Sequence, residues 1–436
     1  MGGLFKMCFY IYTLGCKVNT YESNVISELL ERDYRKVDNP KEADFIIINT
    51  CTVTNTADNK SLKMIRQAHR LNEKAKIIVC GCMSQHSSER IIDLDNVIII
   101  IGNKNKSRIP QYIDEYMKTK KQIVDIYDLT DVPFEEMKLN NFNKTRAFVK
   151  IQDGCNNFCS YCIIPYTRGN VRSKKPEEIL EEIDTLVNNG HEEIVLTGIH
   201  TGHYGSEFDN YNFKDLLIDI LKINKLKRLR ISSIEITEIT DEILDIIKNN
   251  NVLVDHMHIP LQSGCDSVLK NMNRKYDTKY FVDKISNLRD VRPNISVTTD
   301  VIVGFPGETE DNFKETVETI KKINFSKIHV FPYSRRSGTK ADLMDNQISE
   351  EIKKERTRVL LDLSKELEKG YMNRFIGYDL EFIPEIEKEG YLYGHTGNYL
   401  YIKIKGCKEL LQKSLKVKIN MVDYPYCIGE IIEEEK

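Results

Sequence analysis

The sequence predicts an α/β protein in three parts: an N-terminal parallel α/β domain over residues 1–120, a central partial (βα)6 barrel over 141–370, and a small antiparallel β-barrel over 371–436. Three observations predict this. Continuous apolar runs such as 44–49 (DFIIIN) and 97–101 (VIIII) alternate with helical patterns, as strands covered on both faces do. The alternation restarts at 147 and gives six strand–helix units, too few for a full eight-fold barrel. Beyond 377 the pattern changes to short alternating strands, the mark of a small barrel of a kind often used to hold nucleic acid.

In chain order, the stretch around 8–14 is β-rich. The opening MGGLFKMCFYIYTLGC has one Lys, a short apolar run and no small-residue cleavage site, so it reads as a first strand rather than a signal peptide. A helical pattern follows Tyr21, a basic amphipathic helix covers 57–71, and 76–80 (KIIVC) is a further strand. Residues 106–145 are charged, weakly patterned and contain Pro133 and an Asn run, which reads as a connector. The central strands are expected at 147–152, 193–197, 228–234, 256–261, 296–303 and 327–333, with helices between them such as 176–187 and 309–323. A long charged helix is expected over 349–370, then strands at 379–387, 390–395, 399–404, 415–421 and 427–432.

Composition narrows the function classes. The 436 residues carry 63 Lys plus Arg against 66 Asp plus Glu, a formal net charge of −3, which argues against a polybasic nucleic-acid binder. With 41% hydrophobic and 30% charged residues and no apolar run of membrane-span length, the chain reads as soluble and cytoplasmic. Its eleven cysteines are odd in number in a large chain without secretion signals, so metal or redox chemistry is weighed before disulfides.

Cys155, Cys159 and Cys162 lie within eight residues, in the loop after the first barrel strand, the end at which such barrels place their chemistry. A structural zinc site wants a fourth ligand, and no Cys or His follows within the next 25 residues. A [4Fe–4S] cluster held by three thiolates leaves one iron open to a cofactor. Zinc or unrelated thiols is the competing reading. Cys16, Cys51 and Cys82 are far apart in sequence but equivalent in position, each just past an expected parallel strand, where ligands of open α/β sheets gather. Taken singly, each is better read as a small core hydrophobe; it is the three matching positions that argue against coincidence. Cys80, two residues before Cys82, falls within its strand.

The three N-terminal cysteines together with GCNNFCSYCIIPYTRG resemble the radical S-adenosylmethionine (SAM) methylthiotransferases over essentially the whole chain. The resemblance implies an N-terminal methylthiotransferase domain, a radical-SAM core and a C-terminal TRAM domain. Within the family, TLGCKVNTYES, CTVTNTADNKS, LTGIHTGHYG and HIPLQSG look most like the MtaB-type branch, which acts on N6-threonylcarbamoyladenosine at tRNA position 37. Ser84, Cys265 and Ser337 depart from the usual phrases without touching an expected iron ligand.

The resemblance implies two [4Fe–4S] clusters and SAM as cofactors. Cys155, Cys159 and Cys162 would hold the cluster that cleaves SAM to a 5′-deoxyadenosyl radical, which activates C2 of the adenine. Cys16, Cys51 and Cys82 would hold the cluster that supplies sulfur, and a second SAM would methylate it. Expected SAM contacts are Tyr161, Thr197, Gly198, Ser233, Glu235, Gln262, Ser263, Val303 and Gly304, with Arg336 facing a carboxylate or phosphate. Expected partners are the anticodon loop of tRNA and an electron donor such as a flavodoxin or ferredoxin; the sulfur donor is left open.

For RNA the candidates are Arg168, Arg172, Lys174 and Lys175 after the cluster loop, and Lys60, Lys63, Arg66 and Arg70 along one helix. Tyr391, Tyr393, Tyr399 and Tyr401, interleaved with Lys403 and Lys405, suit base stacking. A solvated basic face and ordinary strand composition are the bland alternatives. The competing functions are the same chemistry on isopentenyladenosine or on a ribosomal-protein side chain, a zinc-bearing RNA-binding protein, and a single-cluster radical enzyme with structural N-terminal cysteines.

Overall fold

The computed structural model describes residues 7–142 and 144–432; the first six residues of the opening stretch, Asn143 of the Asn run and the last four residues of the 371–436 segment lie outside the described residues. The N-terminal part is a parallel six-stranded sheet in which Cys8–Thr13 lies between Arg35–Lys36 and Phe45–Thr50, followed in order by Lys76–Gly81, Val97–Ile101 and Ile123–Asp125. Strands Phe45–Thr50 and Val97–Ile101 are buried throughout, as their unbroken Ile and Val runs require, with helices on both faces of the sheet.

The expected connector at 106–145 is corrected over its first half. Helix Ile109–Thr119 buries Ile109, Tyr112 and Ile113, and Ile123–Asp125 adds a sixth strand. The pattern was weak because the helix presents only this narrow apolar stripe and the strand is three residues long at a sheet edge. The first helix also starts earlier than its periodicity indicated, at Lys17, because Cys16 takes the extended cap position directly after the strand.

The central part consists of two three-stranded parallel sheets, one holding Arg146–Lys150, Glu193–Thr197 and Arg228–Ile231, the other His256–His258, Ser296–Val303 and Lys327–Pro332. Bonds from Leu229 N to Val252 O and from Ile234 N to His258 O join them into one open, incomplete barrel. The expected strand 147–152 divides at Ile151, and Gln152–Asp153 pairs antiparallel with Arg172–Ser173. The open edge is covered: Ser364, on helix Glu350–Asn373, accepts from Ile328 N and donates to Ile328 O, both at 3.0 Å. That satisfies backbone groups that would otherwise invite pairing.

The C-terminal strands close into a five-stranded barrel. It is not wholly antiparallel, since Tyr401–Lys405 pairs parallel with Tyr426–Ile431. Its docking is polar: Arg146 meets Glu385 at 3.1 Å, and Tyr371 donates to Asn294 O at 2.8 Å. Among the described residues no helix is long and apolar enough to cross a membrane.

Candidate active site

Cys155, Cys159 and Cys162 share one tight loop. Phe158 adopts left-handed backbone at φ 45°, and Cys162 N bonds Cys159 O at 3.0 Å, turning the chain so that the three thiols sense one another's charge. Burial and the two neighbouring cysteines push the Cys162 thiol up to about 12. Ser160 anchors the loop to the end of the fourth barrel unit through Met272 O and Asn271 O. Two cations serve the thiols directly. Arg274 Nη1 donates to Cys159 Sγ at 3.3 Å, and His200 Nδ1 lies 3.7 Å from Cys155 Sγ. Burial opposes charge on His200, but the Cys155 thiol and Glu238 prevail and raise it to about 10. His200 is thus a nitrogen donor at the cluster loop, a neighbour that the 25-residue window after Cys162 could not reveal.

Gln152 holds the framework around this loop. Its Oε1 accepts from Ile199 N and His200 N at 3.0 and 2.8 Å, while its Nε2 donates to Asp153 O and Gly154 O. One side chain therefore fastens the end of the second barrel strand, Thr197 and Gly198 included, to the cluster loop.

The second cysteine set also converges. Cys16 caps the first helix, Cys51 follows strand Phe45–Thr50, and Cys82 opens the short helix Cys82–Ser87. Gly15 lies so close to Cys51 that an added Cβ would stand 2.9 Å from its Sγ, on backbone at φ 96° that other residues resist. Burial and the neighbouring cysteine charges raise the Cys51 thiol to about 11, and both Cys82 and Cys16 contribute to that field. Cys80 is different: it is wholly buried in the hydrophobic core among Ile78, Ile99 and Ile101 and serves as a core residue. Gly15→Ala is expected to cost roughly 1–3 kcal/mol of stability and to lower metal loading, read by thermal melting and an anaerobic iron assay.

The two cysteine sets belong to one polar network. Asn19, one helical turn after Cys16, donates to Leu14 O and Thr50 O at 2.7 and 2.8 Å and accepts from Arg168 Nη2 at 2.8 Å. Asn103 donates to Cys82 Sγ at 3.4 Å and to Thr167 O at 2.8 Å. Thr167 and Arg168 end the segment that begins at Cys155, so the N-terminal thiols are positioned by the same stretch that carries the cluster loop. Arg168 is fully buried against Glu22 and Asp153, at 3.1 and 3.0 Å.

That burial overturns three expected RNA contacts. Arg168 and Arg172 both pair with Asp153, and Lys174 is enclosed by Glu182 and Met137 O. Each answers a buried carboxylate and is closed to phosphate; Lys175 alone of the four is exposed. Arg336 is likewise buried, binding Asp58, Thr52 and Asn55 and so tying the loop after Cys51 to the sixth barrel strand. Lys60, Lys63, Arg66 and Arg70 are exposed on helix Asn55–Leu71.

The other expected SAM contacts divide. Tyr161 and Gln262 line a cavity of about 210 Å³ with Cys162, Val53, Thr54, Asp300 and Ile302. Glu235 forms an ion pair with Arg274, and Ser233 lies half-buried nearby in sequence. Ser263 turns to Thr316 at 3.3 Å. Val303 packs into the core and Gly304, at φ 71°, lies against Lys353, so it is Asp300 and Ile302 of this strand that line the cavity. Glycine at 304 answers its backbone and this helix contact.

A donor set of three thiols on one loop, with cationic groups on two of the sulfurs, suits an anionic [4Fe–4S] cluster with an open iron. The second set offers three further thiols with an arginine guanidinium in their field and fits the same kind of group.

The comparisons agree with this geometry. Residues 149–320 match the model of the radical SAM superfamily, and 8–102 match one described as uncharacterized protein family UPF0004. The chain is 44% identical to the threonylcarbamoyladenosine tRNA methylthiotransferase MtaB of Bacillus subtilis, over 97% of both chains. It is 36% identical to the protein of that name from Aquifex aeolicus, over 91% of this chain and 97% of that one. It is 34% identical to a tRNA-2-methylthio-N(6)-dimethylallyladenosine synthase of Lachnoclostridium phytofermentans, over 98% and 96%. Among solved structures, the radical SAM methyltransferase TsrM of Kitasatospora setae aligns with TM-score 0.56 at 13% identity, over 78% of this chain and 77% of that one, a likeness of fold.

Proposed function

The chain belongs to the tRNA methylthiotransferase family of radical-SAM proteins, and from that premise we propose that it methylthiolates C2 of N6-threonylcarbamoyladenosine at position 37 of tRNA. The observation that carries the reading is the shared network of Asn19, Asn103, Thr167 and Arg168, which ties Cys16 and Cys82 of the second thiol set to the end of the segment that begins at Cys155. A single-cluster enzyme has no need of that second convergence.

When bound, SAM and two [4Fe–4S] clusters would supply homolytic S–C5′ cleavage, sulfur and a methyl group. The chain's own residues do the rest. Cys155, Cys159 and Cys162 would hold one cluster able to take SAM, while Arg274 and His200 hold two of these thiols in place and oppose their charge. Gln152 fixes the end of the second strand, where Thr197 and Gly198 face the methionyl group. Tyr161, Gln262 and Ile302 wall the cavity beside Cys162 and keep water from the reactive carbon. Cys16, Cys51 and Cys82 would hold the second cluster. The anticodon loop would present its base unpaired, the form in which proteins read RNA sequence. The tRNA substrate places this work in the cytoplasm, with a flavodoxin or ferredoxin as the source of electrons.

The test is nucleoside mass spectrometry of total tRNA from cells with and without the gene. Loss of 2-methylthio-N6-threonylcarbamoyladenosine, with its precursor accumulating, is the expected result. Loss of the isopentenyl analogue instead would move the enzyme to the branch of its dimethylallyladenosine relatives.

A further inference from the structure

A second cavity, of about 210 Å³, opens between the central barrel, the first helix and the C-terminal barrel. Lys17, His256, His258, His329, Tyr399 and Tyr401 line it. It joins the cavity beside Cys162 through His258 and Asp300, whose side chains meet at 3.3 Å, one in each lining. One track thus runs from the cluster loop, past the residue that follows Cys16, to the C-terminal barrel.

The charges along this track do not cancel. Arg146 is paired with Glu385, Arg230 with Glu193 and Lys327 with Glu368, while Asp300 lies 3.3 Å from the His258 ring. Lys17 is left over. Among the described residues its ammonium makes no ion pair; Arg230 and Arg146 repel it, and the weaker attraction of Cys16 and Asp300 does not offset them. Two buried polar atoms beside it have no partner: Nδ1 of His256, a lining residue 6% exposed, and Nη1 of Arg230, which is 2% exposed. Burial and the surrounding cations Arg230, Lys17, His258 and Arg146 hold His256 well below the usual imidazole range, which reports a positive field in the cavity. A half-buried cation without an ion pair, beside buried polar atoms that lack partners, favours an anion to complete it.

We propose that this cavity is the subsite for the amino-acid group carried on N6 of the target adenine, with the Lys17 ammonium taking its carboxylate. The inference rests on the threonylcarbamoyladenosine reading and deepens it. An isopentenyl group has no charge to offer Lys17, so the same residue disfavours that substrate by leaving the ammonium unanswered. The stacked rings of His256, Tyr399, His395 and Tyr401, with centroids 4.5–4.8 Å apart, form the wall against which the group and its neighbouring base lie.

The test uses the full-length reconstituted enzyme and three anticodon stem-loop RNAs. One carries N6-threonylcarbamoyladenosine, one an N6-alkylcarbamoyladenosine without the carboxylate, and one isopentenyladenosine. Wild-type turnover on the first and not the third is read before any variant; turnover on the third alone would overturn the substrate reading itself. Lys17→Gln is then expected to weaken binding of the first RNA about 10- to 100-fold, the range of a hydrogen bond to a charged group. It should leave binding of the carboxylate-free RNA unchanged, with iron content as in the wild type, and Lys17→Arg should restore part of the loss. Equal weakening of both RNAs would make Lys17 a contact to backbone phosphate, and no weakening would make it a bystander. Either result overturns the subsite while leaving the substrate reading standing.

Discussion

Cys51→Ala protein is expected to form no methylthio product, to continue cleaving SAM to 5′-deoxyadenosine, and to retain about four iron per chain rather than about eight. Cys159→Ala is expected to lose 5′-deoxyadenosine and product together, again keeping about four iron. The opposite losses follow from where the two residues sit. Cys51 stands beside Gly15, in the field of Cys82 and Cys16, and belongs to the second thiol set rather than to the loop that holds Cys159. Cys159 is held by Arg274, far along the chain, and its neighbours Tyr161 and Gln262 wall the other cavity. Asn19 and Arg168 remain in both variants, so neither collapses the other set. If the N-terminal cysteines were core hydrophobes, Cys51→Ala would make full product and only lower the melting temperature. If the 155–162 loop held zinc with His200 as its nitrogen ligand, anaerobic preparations would contain zinc, no sulfide and no SAM cleavage. Metal analysis and high-performance liquid chromatography of the nucleosides on the same two variants separate all three cases.

Much of the architecture was legible because burial and period speak with one voice in strands such as 97–101, apolar and buried throughout, and 193–197, whose centre Ile194–Leu196 is apolar and buried. The cysteine sets were legible for a different reason: topology alone puts the ends of parallel strands together. What escaped were residues that work by being buried while polar. Arg168 reads as a basic residue near an active site, and nothing local announces that Glu22, well over a hundred positions away, will claim it. Gln152, Asn103 and Arg274 are single polar residues whose partners come from other elements, so no spacing rule finds them. Asn19 is the exception. Its place three residues after Cys16, on the same helix face, could have been read as a cap-side ligand holder. The 106–125 segment was missed because a helix needs only one buried stripe, and charges on its other face drown the pattern.

Glu22→Gln is expected to destabilise the protein by about 3–5 kcal/mol, the largest loss of stability for any change that removes no side-chain volume. Glu22 is 1% exposed and faces three cations at once: Lys106, Lys150 at 2.9 Å and Arg168 at 3.1 Å. Burial alone would raise its carboxyl, yet those three cations together hold it far below the usual carboxylate range. Asp153 shares Lys150, Arg168 and Arg172 and is held low in the same way. With Glu22 neutral, three buried cations are left with a single carboxylate in reach of two of them, and each bears a desolvation cost that the missing charge no longer offsets. The exposed pair Lys279–Asp283 is the control, and Asp283→Asn there should cost less than about 1 kcal/mol. The pH dependence fixes the sign. A carboxyl depressed on folding contributes stability that is fully present above its unfolded value, near 4.3 for a glutamate, and is lost as pH falls through its folded value. Wild-type and Glu22→Gln proteins should therefore differ most at neutral pH and converge as the pH drops below about 4. Denaturant titrations at pH 7, 5 and 3.5 measure this directly, and a gap that widens on acidification would mean that Glu22 is not the ionised hub of the network. Because Arg168 also orients Asn19 beside Cys16, the same variant at neutral pH should load less iron on the N-terminal set before the protein as a whole unfolds.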